Sequence, residues 1–304
     1  MPRRALFSLG LLLSITGISA AEDSNKFLVM SNVLAATRPG DWRALDPENT
    51  LYVETAKGRV VIALAPDFAP GTVANVKALA RDGYYDGVGI NRCQDNRVAA
   101  WEYPDEDQAR AARKIKHGKS TLPAEFDRTI DPALAFVKMP DGDVYAPEAG
   151  FCEEFPAARD PAAGRMWLIH EYGMVGVGRD NAVDSGGGTE IYVVIGQAPR
   201  ELDRNVTLIG RVVQGIELLS SLPRGTGPLG YYTKPNQYTK IKAIRVAADV
   251  PAAQRTNLEL MRTDTAAFRD LIESRRFRRE EWFAAPTGKI EVANVPLPVR
   301  VAGR

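Results

Sequence analysis

The stretch Leu51–Cys93 reads LYVETAKGRVVIALAPDFAPGTVANVKALARDGYYDGVGINRC. Its first half contains two runs of alternating β-type residues, Leu51–Thr55 and Arg59–Ala65, separated by the turn-like letters AKG. This pattern predicts a β-hairpin. A short amphipathic helix should follow, because Pro70 stands near a helix start, Gly83 stands near a helix stop, and apolar residues are spaced between them. The region therefore begins with two paired strands and one helix.

Further short strands and a second short helix, over 214–221, are predicted downstream. The strands are expected at Val88–Cys93, Val98–Trp101, Met166–Ile169, Met174–Val177, Glu190–Ile195, Val206–Val212 and Lys240–Val246. Many short strands with turn residues between them and only two helices favour an antiparallel barrel or a sandwich. The connections are too short for alternating βαβ units.

Two regions do not follow this pattern of short strands separated by turns. Residues 103–164 are rich in Pro, Asp and Ala and have weak periodicity, which indicates a long insertion lying over the barrel. From residue 250 onward the letters AAQRTNLELMR and DTAAFRDLIESRRFRREEWF have helical character. Apolar residues of the second segment share one face, so we expect that helix to pack on the main domain. An alternative is that RRFRREEW binds an anionic surface or a partner, although its glutamates reduce the net charge.

The N-terminus has the pattern of a secretory signal peptide. Arg3 and Arg4 precede an apolar run from Ala5 to Ile18, and small residues follow before Glu22. The run is shorter than the roughly 20 residues that a spanning helix needs, so an uncleaved anchor is the less favoured alternative. We expect a signal peptide over 1–21, a linker over 22–48, no membrane span after cleavage, and export, most simply to a periplasm.

Composition narrows the range of partners. The chain has 39 Lys and Arg against 38 Asp and Glu, so no strong field of either sign points to nucleic acid or to a membrane surface. The length allows one large domain, or one domain with extensions.

Few residues offer reactive chemistry. His117 and His170 lack metal-ligand spacing to other ligands, so each is interpreted as a structural or surface histidine, and no metal is expected. No nucleophile elbow supports a serine triad. The glycine-rich letters GVGRDN and DSGGGTE are not followed by a helix start that could hold phosphate. Cys93 and Cys152 could form a disulfide in an exported protein, or Cys93 could be a buried thiol. A third alternative is that the neighbouring Arg92 activates the Cys93 thiol.

This shortage of nucleophiles, metals and cofactors suits proline isomerisation, a reaction that breaks no bonds. The barrier of about 18–20 kcal/mol comes from amide resonance. A catalyst needs an apolar groove for the ring and a donor directed at the proline nitrogen or the adjacent carbonyl. Arg92, on a predicted strand with apolar residues around it, is the candidate donor because a guanidinium is always charged.

The opening stretch also resembles the cyclophilin-type peptidyl-prolyl isomerases, which begin with a hairpin, a Pro-Thr-Val-x-Asn helix, a Gly-Tyr-Tyr-Asp-Gly turn and a strand carrying Phe-His-Arg. TLPAEF at Thr121–Phe126 is similar to the Pro-Ala-Glu-Phe segment of bacterial members. GMVGVGRD, GGGTEIYVVIG and ELDRNVTLIGRVVQGIELLSSL resemble later family segments in the same order. The resemblance covers Leu51 to Val246 apart from the insertion. It implies a mainly β fold: a closed eight-stranded antiparallel barrel capped by two helices, within a domain over 49–249 that precedes a helical extension over 250–304.

The resemblance also implies roles for individual residues. It places the catalytic arginine at Arg92, the aromatic floor of the proline pocket at Tyr192 and the pocket leucine at Leu202. The family alanine whose backbone contacts the peptide falls near Gly178, and Val98 is expected to line the same groove.

At other positions this sequence differs from the family motifs. The histidine beside the catalytic arginine is Asn91, and the Phe-Met-x-Gln-Gly-Gly-Asp stretch corresponds to Arg97–Tyr103, so a ring-contacting Phe and a substrate-binding Gln are missing. The glutamine of Ser-Gln becomes Glu190, and a pocket histidine aligns with Asn205. Arg97 and Glu190 could rebuild part of the lost hydrogen bonding as a charged pair, or could spoil the apolar floor.

Two hypotheses of function follow. The first is an exported isomerase that acts without a cofactor on proline-containing polypeptides, such as unfolded or exported proteins. The second is a catalytically weak chaperone or protein-binding module with the same fold. Retention of Arg92 favours the first, while the lost glutamine and phenylalanine favour the second.

Overall fold

A computed structural model describes residues 29–103 and 115–303. Within these residues the α-helices are α1 (Met30–Ala35), α2 (Pro70–Arg81), α3 (Glu217–Ser220) and α4 (Ala266–Arg276). The strands are β1 (Trp42–Ala44), β2 (Thr50–Thr55), β3 (Gly58–Leu64), β4 (Gly89–Cys93), β5 (Val98–Trp101), β6 (Arg128–Thr129), β7 (Phe136–Lys138), β8 (Glu148–Cys152), β9 (Phe155–Asp160), β10 (Arg165–Leu168), β11 (Met174–Val177), β12 (Ile191–Val194), β13 (Leu208–Gln214), β14 (Thr239–Val246), β15 (Leu258–Met261) and β16 (Val299–Val301). Short 3₁₀ helices cover Pro39–Asp41, Pro47–Asn49, Arg200–Leu202, Pro228–Gly230, Pro235–Gln237, Ala247–Asp249, Ala252–Gln254 and Val292–Asn294.

Eight strands close into an antiparallel barrel in the order β11-β12-β5-β4-β14-β2-β3-β13, which confirms the predicted architecture. The predicted hairpin is present, with Leu51 opposite Ile62 and Val53 opposite Val60. These four side chains point into the barrel core, as the two-residue period of a strand requires. The opposite faces of β2 and β3 are also buried, under the other layers of the protein.

The helix α2 closes one end of the barrel. Pro70 occupies its first turn, and Val73, Val76 and Leu79 are buried in the barrel core. No side chain of its own caps the helix. Instead, the Glu125 carboxylate accepts bonds from the backbone N–H groups of Gly71 at 3.0 Å and Thr72 at 2.7 Å. The second predicted helix is α3, whose Leu219 is buried in the same core.

The predicted insertion forms a second sheet of its own, in the order β6-β10-β9-β8-β7. Its strands are only two to six residues long, which explains the weak periodicity of the sequence. Strand β10, predicted as part of the main fold, pairs with β9 and β6 in this sheet instead. Phe155, Met166 and Leu168 of the inserted sheet pack against the outer face of the barrel, where they share a core with Val98 and Tyr192.

The two ends of the described chain form a third layer. The linker predicted over 22–48 contains α1 and β1 in its described part, and β1 pairs with β15 in the sheet β1-β15-β16. The helix predicted from AAQRTNLELMR is wrong, because this segment is a short 3₁₀ helix followed by β15. Pairing with β1 and β16 on both sides stabilises the extended conformation. The helix predicted from DTAAFRDLIESRRFRREEWF is present as α4, which buries Phe268, Leu271 and Ile272.

The disulfide considered for Cys93 and Cys152 is wrong. Both cysteines are free and buried. Cys93 lies in the barrel core, whereas Cys152 lies in the core between the barrel and the inserted sheet. The barrel wall therefore separates the two sulfur atoms.

The predicted signal peptide, over 1–21, lies outside the described residues. Within 29–103 and 115–303, no helix combines the length and the apolar character needed to cross a bilayer.

Candidate active site

A cavity of about 540 Å³ opens on the outer wall of the barrel. It brings together six of the seven residues that the sequence predicted for the site: Arg92, Val98, Gly178, Glu190, Tyr192 and Leu202. They come from β4, β5, the end of β11, β12 and the 3₁₀ helix Arg200–Leu202, so strand pairing assembles residues that are far apart in the sequence.

Arg92 is fixed at one side of this cavity. Its position in β4 points it outward, because the next residue, Cys93, points into the barrel core. The Nε group donates to the Leu229 carbonyl at 2.8 Å, and Nη2 donates to Gln94 Oε1 at 2.7 Å. The guanidinium lies 5.3 Å from the centre of the Tyr231 ring. Across residues 29–103 and 115–303, Nη1 has no hydrogen-bond acceptor, so this nitrogen keeps donors for a ligand.

The floor of the cavity is apolar. Val98 and Tyr192 lie on the paired strands β5 and β12 and are 4% and 7% exposed. The Tyr192 hydroxyl turns away from the cavity and forms a hydrogen bond of 2.8 Å with Nε2 of the buried His170. Burial raises the pKa of Tyr192 well above its usual value, so the hydroxyl stays neutral. Beneath the ring lies Gly176, where a Cβ atom would overlap the tyrosine Cζ and hydroxyl atoms.

The rim of the cavity is charged. Arg97 forms an ion pair with Glu201 at 3.0 Å, which differs from the pairing with Glu190 that was considered from the sequence. A Cβ atom at Gly178 would overlap the Glu190 carboxylate. The lack of a side chain at Gly178 therefore leaves room for the Glu190 carboxylate.

Asn205 differs from the prediction because it does not line the cavity. Its side-chain amide donates to the carbonyls of Glu201 and Asp203, at 3.2 and 3.1 Å, and so folds back on its own loop. Its backbone carbonyl accepts a bond from Arg179 Nε at 2.8 Å.

Several cavity residues were missed by the sequence analysis: Arg179, Asp180, Asn181 and Val206. The first three lie in the irregular loop between β11 and β12, where no periodic pattern could indicate a direction. His170, for which the sequence predicts a structural or surface role, is buried directly behind the floor. The one available signal was the hydroxyl of Tyr192, because a buried tyrosine hydroxyl usually needs a partner.

Within the described part of the chain, no group of three or more His, Cys, Asp or Glu side chains could hold a metal ion. The site offers a fixed cation, an apolar floor and a charged rim. Such an arrangement can bind a polypeptide segment and stabilise a change in its electron distribution without forming a covalent bond.

Comparison with known proteins agrees with this geometry. A family model described as cyclophilin type peptidyl-prolyl cis-trans isomerase/CLD matches residues 50–246. A probable peptidyl-prolyl cis-trans isomerase of Brucella suis biovar 1 is 26% identical over 189 residues, which cover 60% of this chain and 76% of the relative. Peptidyl-prolyl cis-trans isomerase B of Bacillus subtilis is 26% identical over 113 residues, covering 37% of this chain and 65% of the relative.

One solved structure extends the similarity beyond the barrel. The crystal structure of cyclophilin AquaCyp293 from Hirschia baltica aligns with a TM-score of 0.68 and 25% sequence identity. The alignment covers 89% of this chain and 96% of that chain. It therefore reaches past residues 50–246 into the added layers.

Proposed function

The chain belongs to the cyclophilin-type peptidyl-prolyl cis-trans isomerase family, and we therefore propose that it catalyses cis/trans isomerisation of X-Pro bonds in polypeptides. The observation that carries the proposal is the position of Arg92, which is held beside an apolar floor with Nη1 directed to no acceptor in the described residues. The proposed substrates are proline-containing segments of unfolded or exported proteins.

The proposed mechanism is electrostatic. An X-Pro bond resists rotation because its nitrogen lone pair is delocalised into the carbonyl group, and twisting the bond returns that lone pair to the nitrogen. An N–H donor of Arg92 directed at the proline nitrogen then binds the twisted amide more tightly than the planar one, and this difference in binding lowers the barrier. No proton is transferred, because an arginine stays protonated throughout.

The floor holds the proline ring while the bond twists. Val98, Tyr192 and Leu202 line the cavity, and the Tyr192 hydroxyl is bonded behind the floor, so the ring meets apolar atoms. Arg92 holds its orientation through two hydrogen bonds, which reduces the cost of ordering it when substrate binds.

The proposed location is the periplasm, after removal of residues 1–21. Support comes from the basic, apolar and small-residue pattern of the N-terminus. N-terminal sequencing of the protein recovered from a periplasmic extract should give a chain that begins near Glu22. A chain that begins at Met1 and stays in the membrane or cytoplasmic fraction would contradict this location.

Two-dimensional NMR exchange spectroscopy on an Ala-Pro tetrapeptide tests the function. Uncatalysed X-Pro exchange takes tens to hundreds of seconds and gives no cross-peaks at short mixing times. With a catalytic amount of the wild-type protein we expect exchange cross-peaks between the cis and trans forms. Peptide binding without exchange would instead support the chaperone or protein-binding hypothesis and would contradict the isomerase.

A further inference from the structure

A continuous chain of hydrogen bonds lies behind the floor of the cavity. From the Tyr192 hydroxyl it passes at 2.8 Å to Nε2 of His170 and from Nδ1 of His170 at 3.0 Å to Asp203. The second oxygen of Asp203 accepts a bond from Arg200 Nε at 2.6 Å. The two terminal nitrogens of Arg200 then donate to the two oxygens of Asp143, at 2.8 and 2.9 Å.

The chain is shielded from water along its length. The side chains of His170 and Arg200 are 1% and 2% exposed, and those of Asp203 and Asp143 are 8% and 4% exposed. Its far end, Asp143, lies between β7 and β8 of the inserted sheet. The insertion is therefore linked directly to the substrate floor.

The hydrogen-bond partners of Asp203 indicate which ring nitrogen of His170 carries a proton. One carboxylate oxygen of Asp203 accepts bonds from the backbone N–H of His170 at 2.8 Å and from the ring Nδ1 at 3.0 Å. An ionised carboxylate can only accept, so Nδ1 carries a ring proton, and in the neutral imidazole Nε2 is then an acceptor. The Tyr192 hydroxyl must then be the donor in the bond to Nε2.

We propose that His170 is a positioning residue for the substrate floor: by accepting the Tyr192 hydroxyl bond it keeps the polar end of that side chain out of the groove and the ring face presented to proline. This inference deepens the proposed function and rests on it. A tyrosine hydroxyl without a buried partner would turn toward solvent, and the open side of this ring is the groove. Gly176 packs against the other side so closely that the ring cannot retreat into the barrel wall.

The chemistry of the pair gives a matched set of variants. Substituting His170→Asn keeps an amide that can replace Nδ1 in the bond to Asp203 but cannot reach Tyr192. Substituting Tyr192→Phe removes the hydroxyl and with it the need for a partner. The substitution at His170 should therefore weaken peptide binding when residue 192 is tyrosine but not when it is phenylalanine.

The experiment is an NMR titration with the Ala-Pro tetrapeptide, which reports the dissociation constant independently of catalysis. His170→Asn should raise the dissociation constant about 10-fold, since a hydroxyl turned into the groove must lose its water when the proline ring covers it. In the Tyr192→Phe background, adding His170→Asn should change the dissociation constant by less than about 2-fold relative to Tyr192→Phe alone. Tyr52→Phe is the matched control, because it removes another buried tyrosine hydroxyl, bonded to Thr256 and outside the cavity.

Rescue by phenylalanine distinguishes positioning from general support of the fold. If His170→Asn weakens binding equally in the wild-type and Tyr192→Phe backgrounds, or weakens it in neither, the inference is overturned. Nitrogen-15 NMR of the wild-type His170 ring should show protonated Nδ1 and bare Nε2, and the opposite tautomer would also overturn it. Wild-type protein that binds the peptide without isomerising it would contradict the proposed function alone, whereas wild-type protein that binds no peptide would contradict both.

Discussion

Two glycines of the cavity show how single residues define the site. Gly176 lies beneath the rigid ring of Tyr192, whereas Gly178 faces the end of the flexible Glu190 side chain. The same added methyl group should therefore have different consequences at two positions that are only two residues apart.

We expect Gly176→Ala to lower the free energy of unfolding by about 1–3 kcal/mol and to weaken peptide binding, because the Tyr192 ring must move into the groove. Gly178→Ala should cost less than about 1 kcal/mol, since the flexible Glu190 side chain can adopt another rotamer more easily than the packed Tyr192 ring can move. Urea denaturation and peptide titration of both variants give the comparison. Equal losses of stability in the two variants would contradict this reading of the floor.

Glu171 is a buried acid that links stability to pH. Burial raises its pKa to about 8 from a usual value of 4.5, even though the charges of Arg211 and Arg200 lower it. The pKa of Arg211 is lowered by burial to about 10, so this arginine stays charged at neutral pH. Between pH 4.5 and 8 the folded state therefore holds a proton on Glu171 that the unfolded state has released.

The free energy of unfolding should fall as pH rises through this window, by at most about 1.4 kcal/mol per pH unit from this one group. Glu171→Gln removes the titration and keeps the shape of the side chain. Urea denaturation at about pH 5, 6, 7 and 8 should give a flatter dependence for the variant than for wild type. Parallel curves would show that Glu171 is already ionised in the folded protein.

At the level of single residues, the sequence allowed Arg92 to be predicted because it belongs to a contiguous motif on a strand. The same was not possible for His170, which lies in the loop between β10 and β11, 22 residues before Tyr192. It was not possible for the Arg97–Glu201 pair either, because only the folded loop brings these side chains together. Contacts between distant side chains depend on the fold that surrounds them.

Secondary-structure elements were predictable where the local pattern is strong. The hairpin β2–β3 and the helix α2 follow from alternation, from Pro70 and from Gly83, which adopts a φ of 70°. Strand β15 was mistaken for a helix because its extended form depends on pairing with β1, which lies far earlier in the chain. Short strands of this kind are specified by partners rather than by propensity.

The cap on α2 offers a test at this level. Glu125→Ala should lower the free energy of unfolding by about 1 kcal/mol, because two backbone N–H groups and the Thr72 hydroxyl lose their acceptor and the helix N-terminus loses a nearby negative charge. Urea denaturation gives the value. Substituting the exposed Glu281 with alanine is the control for removing one negative charge, and an equal effect in both variants would argue against the cap.

In the molecule as a whole, the barrel is one of three packed layers. The inserted sheet covers part of the barrel wall and shares a core with the cavity floor. The third layer, β1-β15-β16 with α1 and α4, packs against the far side of the inserted sheet, where Phe268 meets Phe151 with ring centres 5.1 Å apart. The sequence indicated an insertion and an extension but could not show that they form sheets, because their strands pair across long separations.

The reactivity of the two cysteines provides a test of this layered packing. Burial raises the pKa of Cys152 to about 12 and also raises the pKa of Cys93, so neither thiol should react readily in the folded protein. A thiol-reactive disulfide reagent should label two thiols per chain after unfolding in urea and react slowly before it. Fewer than two reactive thiols in unfolded, unreduced protein would instead indicate the disulfide that the structure lacks.

The most direct test of the proposed mechanism compares wild type with Arg92→Ala and Arg92→Lys in the exchange experiment on the Ala-Pro tetrapeptide. We expect Arg92→Ala to slow catalysed exchange by about 100-fold or more, which is the scale of losing one directed donor. Peptide affinity should change far less. Arg92→Lys should restore little of the rate. The lysine ammonium group cannot form the bonds to Leu229 and Gln94 and at the same time direct a donor into the groove. Exchange by Arg92→Ala at the wild-type rate would contradict the central role given to this guanidinium.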